Sequence, residues 1–199
     1  MRKHTSGILI LVLLSIPAVI PTIALTGYAQ EKSTSTTEDE ATPIQKGVMT
    51  ERQKKHSKLY KGSGMGENLS EVARKDGSAR VIVESSPSFS SREPTPTLGQ
   101  SLNELACTED AIVVGKVKSK ASQLTEEEDF VFTDYELSVE EVIKNNPSAQ
   151  IGAYTEITIT RPGGVVLLDG RVISADVAAY NPFKVGSRYI TFLNYISND

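Results

Sequence analysis

From residue 98 onward, apolar and polar positions keep a period of two, interrupted at short intervals by glycine, proline and asparagine. That is the pattern of half-buried β-strands joined by turns. Residues 111–120 open with Ile112-Val113-Val114 and then alternate Val117 with Lys116, Lys118 and Lys120, which predicts a strand leaving the core for solvent. Gly115 within it marks a bulge or a close backbone approach. Residues 130–142 predict a long strand with one bulge near Thr133-Asp134, ended by Asn145-Asn146-Pro147. Residues 154–160 alternate again. Arg161-Pro162-Gly163-Gly164 breaks them, 165–168 resume, Asp169-Gly170 is a two-residue hairpin signal, and 171–174 return. On this reading the Pro-Gly-Gly is a turn in a β-meander. Residues 177–184 form a loop, and 188–197, apolar on both faces, form a central strand. The one helix predicted in this region is short, from Ser101 to about Thr108, because Ser101 and Glu104 have the spacing of a capping box.

Before residue 98 the apolar pattern largely fails. Residues 31–42 are Ser, Thr and acidic, and residues 85–97 are dominated by Ser, Thr and Pro, so neither stretch buries enough apolar surface to offset its ordering entropy. Between them, residues 46–61 carry Lys46, Arg52, Lys54, Lys55, His56, Lys58 and Lys61 against one Glu51, which reads as a solvated tether or a contact for anionic surfaces. Gly62-Ser63-Gly64-Met65-Gly66 reads as a flexible joint, since no strand precedes it and no Lys-Ser/Thr pair follows. Residues 68–75 have room for two helical turns; residues 79–84 are either an edge strand or unstructured. At the start, Arg2, Lys3 and His4 precede an aliphatic run over 7–20, and Gly27-Tyr28-Ala29 puts small residues where a signal peptidase reads them. An uncleaved anchor is the alternative, because 7–29 carries no charge. The expected organisation is a signal peptide or membrane anchor over 1–29, a polar, largely disordered linker over 30–97, and an all-β domain over 98–199. The expected location is secreted or periplasmic, or membrane-anchored with the domain outside the cytoplasm.

Charge and chemistry narrow the function. Residues 1–97 hold 13 Lys/Arg against 10 Asp/Glu, and residues 98–199 hold 8 against 15. The acidic second half argues against nucleic acid as a partner, because phosphate binding needs clustered cations. The single Cys107 forms no internal disulfide, and it reads as a small, partly buried side chain at a helix-to-strand turn. Its neighbours Glu104, Glu109 and Asp110 disfavour a thiolate. His4 and His56 are the only histidines and both precede residue 98, so the expected domain holds none for nucleophilic catalysis or a common zinc site. Residues 126–129, four adjacent carboxylates, lack the spacing of a calcium loop and read as a solvated hairpin tip. No catalytic, cofactor-binding or metal residues are assigned, although paired carboxylates such as Asp134 with Glu136 keep a small hydrolase formally open. The candidates for a binding surface are Arg161 and Arg171, flanking the meander and suited to an acidic partner, with Tyr135 and Tyr180 among the tyrosines able to stack on it.

Residues 110–117, 132–144, Gly163-Gly164 and 185–193 together resemble the module shared by netrin carboxyl-terminal domains and tissue inhibitors of metalloproteinases, and secreted bacterial proteins with the same pattern. The likeness covers about residues 101–196 and rests on hydrophobic patterns around a few glycines. It implies a small OB-like antiparallel barrel with one short helix, acting by binding and not by catalysis. The animal modules are laced with disulfides, and the inhibitors reach zinc through an amino-terminal cysteine. With only the internal Cys107, that route is not carried over. The expected function is an exported, non-enzymatic module that recognises a protein or envelope polymer through its loops. A peptidase inhibitor or accessory subunit is the alternative, and membrane contact is expected only through residues 1–29 if they are retained.

Overall fold

The computed structural model describes residues 8–11, 41–64, 66–83, 98–147, 149–178 and 180–196. These residues make a mostly β structure of two sheets with three helices. The strands are β1 (Ile8–Leu11), β2 (Thr42–Ile44), β3 (Ala79–Val83), β4 (Ala111–Leu124), β5 (Val131–Lys144), β6 (Glu156–Pro162), β7 (Gly164–Leu168), β8 (Arg171–Val177) and β9 (Arg188–Ile196). The helices are α1 (Glu51–Leu59), α2 (Leu69–Asp76) and α3 (Leu98–Thr108). One sheet has the order β6-β5-β4-β9, all antiparallel, and β1 pairs with β6 in parallel and with β9 in antiparallel, so that four residues bridge its two edges. The other sheet has the order β2-β7-β8-β3, in which only β7 and β8 are antiparallel.

The long β4–β5 hairpin belongs to two cores. Its base contributes Val113, Val117, Tyr135, Leu137 and Val139 to a cluster with Ile159, Phe183 and Leu193. Its far end contributes Leu124, Phe130 and Phe132 to a second cluster with Tyr60, Leu69, Ala73, Val81, Val166 and Ile173. Gly115 sits at a register shift, and a Cβ there would lie 2.7 Å from the Ser138 carbonyl oxygen, as a close backbone approach requires.

Several expectations are corrected. The linker is not disordered over 42–64 and 66–83, because β2, α1, α2 and β3 lie there and Tyr60, Leu69, Ala73, Ala79 and Val81 are buried. Each large apolar side chain so buried contributes about 1.5–3 kcal/mol, which offsets the ordering entropy that the segment's polar composition had suggested it would not meet. Residues 79–83 are the edge strand of the two readings, parallel to β8. The Pro-Gly-Gly is not a meander turn. β6 pairs with β5 and β7 with β8, so the chain crosses there from one sheet to the other. Gly163 and Gly164 have φ of 88° and 140°, values that L side chains resist, and a Cβ on Gly164 would collide with the Thr133 hydroxyl. The Asp169-Gly170 hairpin is present, both residues having positive φ. No register shift falls at Thr133-Asp134; the shifts along this pair lie at Ile112/Val113, Val114/Gly115 and Val117/Ser119. α3 begins at Leu98, so Ser101 lies inside the helix and does not cap it. Lys144 Nζ instead finishes α3, donating to the carbonyls of Ala106, Cys107 and Glu109 at 2.9, 3.2 and 2.6 Å. Cys107 is exposed, not partly buried. The cleavage region 12–29 lies outside the described residues. No helix among those described is long and apolar enough to cross a membrane.

Candidate functional site

The basic run and the acidic loop, which the sequence presents as two solvated segments, face each other. Thr50 and Gln53 form a capping box that starts α1: the Gln53 amide donates to Thr50 Oγ1 at 3.2 Å, and the Thr50 amide to Gln53 Oε1 at 2.8 Å. From α1 and its flanks, Lys46 pairs with Glu128 at 3.1 Å, Lys61 with Glu127 at 3.5 Å, and Ser57 Oγ accepts the Glu126 amide at 2.7 Å. The Leu69 amide, at the start of α2, donates to the Glu128 carbonyl at 2.7 Å. Burial works to raise the Glu128 pKa, yet the surrounding Ser70, Lys46 and Asn68 side chains outweigh it and hold the carboxyl below its ordinary value.

α1 also carries His56 into the structure, which overturns the expectation of a folded unit without histidine. His56 is 1% exposed, and its Nδ1 lies 2.7 Å from Asp134 Oδ1 on β5. Tyr60, one turn on, donates from its hydroxyl to Thr160 Oγ1 at 3.3 Å and stacks on Phe132, while Phe132 meets the His56 ring edge-on. Burial raises the Tyr60 phenol well above its ordinary pKa. His56 Nε2 and Asp134 Oδ2 are enclosed without a partner. A histidine held by a carboxylate is half of a nucleophile-activating set, but among the described residues no hydroxyl or thiol meets Nε2, and the atom is enclosed. In this arrangement the pair fastens α1 to the sheet.

The four sequence-predicted binding residues separate into two places. Three come together, but inside the protein. Arg161 is 2% exposed, its Nη1 donates to the Asn181 carbonyl at 2.8 Å, and its guanidinium carbon lies 4.3 Å from the Phe183 ring centre and 5.4 Å from that of Tyr180. Tyr135, 3% exposed, packs edge-on against Phe183 at 5.1 Å, and Phe183 in turn packs on Tyr189 at 4.5 Å. Burial lowers the Arg161 pKa from its ordinary value, opposed by the nearby tyrosines, and it raises that of Tyr135. Arg161 and Tyr135 are therefore not surface contacts for a macromolecule. The salt bridge to Asp169 or Asp176 that a surface Arg161 would make is also not formed; Asp176 pairs with Arg80 at 2.7 Å.

Arg171 goes elsewhere. At the exit of the Asp169-Gly170 turn it lines a cleft of about 240 Å³ together with Lys46, Ser70, Arg74, Asp169 and the apolar floor of Leu168 and Ile173. Arg74 and Arg171 make no ion pair among the described residues, and Asp169 is the lining carboxylate beside them; the third lining cation, Lys46, is already paired with Glu128. Ser70 is buried, 6% exposed. Positive charge of this kind, on a concave floor between α2 and the β7–β8 hairpin, attracts an anionic group. Sequence inspection missed Lys46 and Arg74 because they were read as parts of a tether and an isolated helix. The signal on the page was the complementarity between residues 46–61 and 126–129, which would have folded that segment back onto the domain. No group of His, Cys, Asp and Glu able to hold a metal ion occurs among the described residues. Comparison of the chain with family models, curated proteins and solved structures found no match.

Proposed function

We propose that this protein is an exported, non-enzymatic binding module that receives an acidic group of a protein or envelope polymer in the Lys46–Arg74–Arg171 cleft. The observation that carries the reading is the convergence on one concave surface of two arginines that have no ion pair among the described residues. An arginine fork pairs in two-point fashion with carboxylate or phosphate, so two of them facing one opening select for repeated negative charge. The export half of the reading is supported by the basic start and Gly27-Tyr28-Ala29; the start of the aliphatic run, Ile8–Leu11, is β1, paired with β6 and β9, and cleavage after Ala29 would remove it. For the fold, the reading rests on the resemblance to netrin-type modules, whose OB-type barrel the β6-β5-β4-β9 sheet would correspond to.

The test uses the full chain immobilised on a sensor surface, with poly-glutamate and a glycerol-phosphate polymer as probes. Binding is expected to one of them, to weaken with added salt, and to fall at least tenfold when Arg74→Ala and Arg171→Ala are combined. Binding that the double substitution leaves unchanged, or no binding to either probe, counts against the cleft.

A further inference from the structure

We infer that the buried edge of Arg161 is a binding site for a small monocarboxylate carried on an apolar or aromatic body, separate from the surface cleft. The guanidinium is always charged, and among the described residues no carboxylate pairs with it. Its one acceptor is the Asn181 carbonyl, which takes Nη1. The two nitrogens left without partners are Nε and Nη2. These are not a random pair. They lie on the same side of the planar group, and their N–H bonds run parallel, which is the edge that receives both oxygens of a carboxylate at once.

A buried cation with two unmet donors costs several kcal/mol, on the order of what is lost when one partner of a buried ion pair is removed. Phe183 and Tyr180 at 4.3 and 5.4 Å reduce that cost through their ring faces without filling the donors. The charge present selects the ligand. One guanidinium balances one negative charge in a dry site, whereas a phosphate dianion would be left half-neutralised. The surrounding Tyr135, Tyr180, Phe183 and Tyr189 give an apolar body something to pack on, and Tyr180 is the half-buried member of that set. The cover is the loop carrying Tyr180, Asn181 and Phe183, tied back where the Lys184 amide donates to the Tyr189 hydroxyl at 2.9 Å.

The experiment is a titration of the full chain with sodium benzoate, acetate, inorganic phosphate and chloride at matched ionic strength, followed by melting temperature and by the arginine Nε–H resonances. Arg161 is recognised there by its slow exchange with solvent. Benzoate is expected to raise the melting temperature saturably and to move that one resonance on the same curve. Arg161→Lys, which keeps the charge and loses the edge, should weaken benzoate at least tenfold, and Arg80→Ala, at an exposed arginine paired with Asp176 outside both sites, should leave it unchanged. A resonance unmoved by either carboxylate overturns the inference even where the Arg161 variant fails to fold. Saturation by phosphate in preference to benzoate overturns the ligand class.

Discussion

Replacing His56 by Ala tests whether the amino-terminal segment is part of the fold. The side chains of His56 and Asp134 are 1% and 6% exposed, and the 2.7 Å contact between them is the only hydrogen bond either side chain makes among the described residues. His56→Ala therefore leaves both Asp134 oxygens buried without a donor, and such one-sided removals cost about 3–5 kcal/mol. For a chain of this length that corresponds to a fall in melting temperature of roughly 6–20 °C. Replacing both residues by Ala removes the orphaned group together with its partner and should cost much less than His56→Ala and Asp134→Ala summed. Urea unfolding followed by tyrosine fluorescence measures all four corners of the cycle. Single substitutions that each cost under about 1 kcal/mol, the range of exposed pairs, would show that α1 is not docked as described. A double variant equal to the sum of the singles would show that the two side chains do not act on each other.

Two further outcomes concern carboxylates and a corner. Glu128, held below its ordinary value, stabilises the fold above that value, 4.5, and loses this as pH falls through its folded pKa; Glu128→Gln should lower the urea midpoint at pH 7 and converge with the parent at acid pH. Glu109 is the opposite case. Burial, with Asp110 beside it, raises its pKa, so its ionised form opposes folding, and Glu109→Gln should raise the midpoint at pH 7. A midpoint shift of the other sign in either variant would refute the assigned cause. Gly164→Ala should cost at least roughly 1–3 kcal/mol through its φ of 140° and its collision with Thr133 and Ser122, whereas Gly99→Ala, in open space on α3, should be neutral or stabilising. Equal effects on thermal unfolding at the two positions would mean that the sheet-to-sheet corner is looser than described.

The parts of the fold legible in the sequence are those fixed by local pattern. β4, β5, β7, β8 and β9 announce themselves by alternation and by the Asp169-Gly170 turn, and α2 lies where residues 68–75 suggested it. What stayed hidden depends on distant partners. The inward face of α1 is His56, Ser57 and Tyr60, which reads as polar, so no apolar stripe marks it as buried, although the Thr50/Gln53 spacing was there to be read. The same alternation fits a strand that turns back on its neighbour and one that crosses to a second sheet, so the role of Gly163-Gly164 had no local signature. Of the candidate site, Arg171 was legible as a cation beside a hairpin turn. Arg161 was equally visible, but its burial follows from the loop that brings Phe183 and Tyr180 over it, which composition does not show.

The parallel pairing of β3 with β8 has a consequence for the order of assembly. Arg80 meets Asp176 across 96 positions of chain, and β2 likewise pairs with β7, so the first-made elements of this segment have no partner until most of the chain has left the ribosome. The β4–β5 and β7–β8 hairpins are local and close early; β2, α1, α2 and β3 dock last, on surfaces those hairpins have already built. Until then Tyr60, Leu69, Ala73 and Val81 have nothing to pack on. The growing chain thus carries a sticky face through most of its synthesis, and a holding chaperone that shields it during that interval would raise the yield of folded protein without altering its final stability.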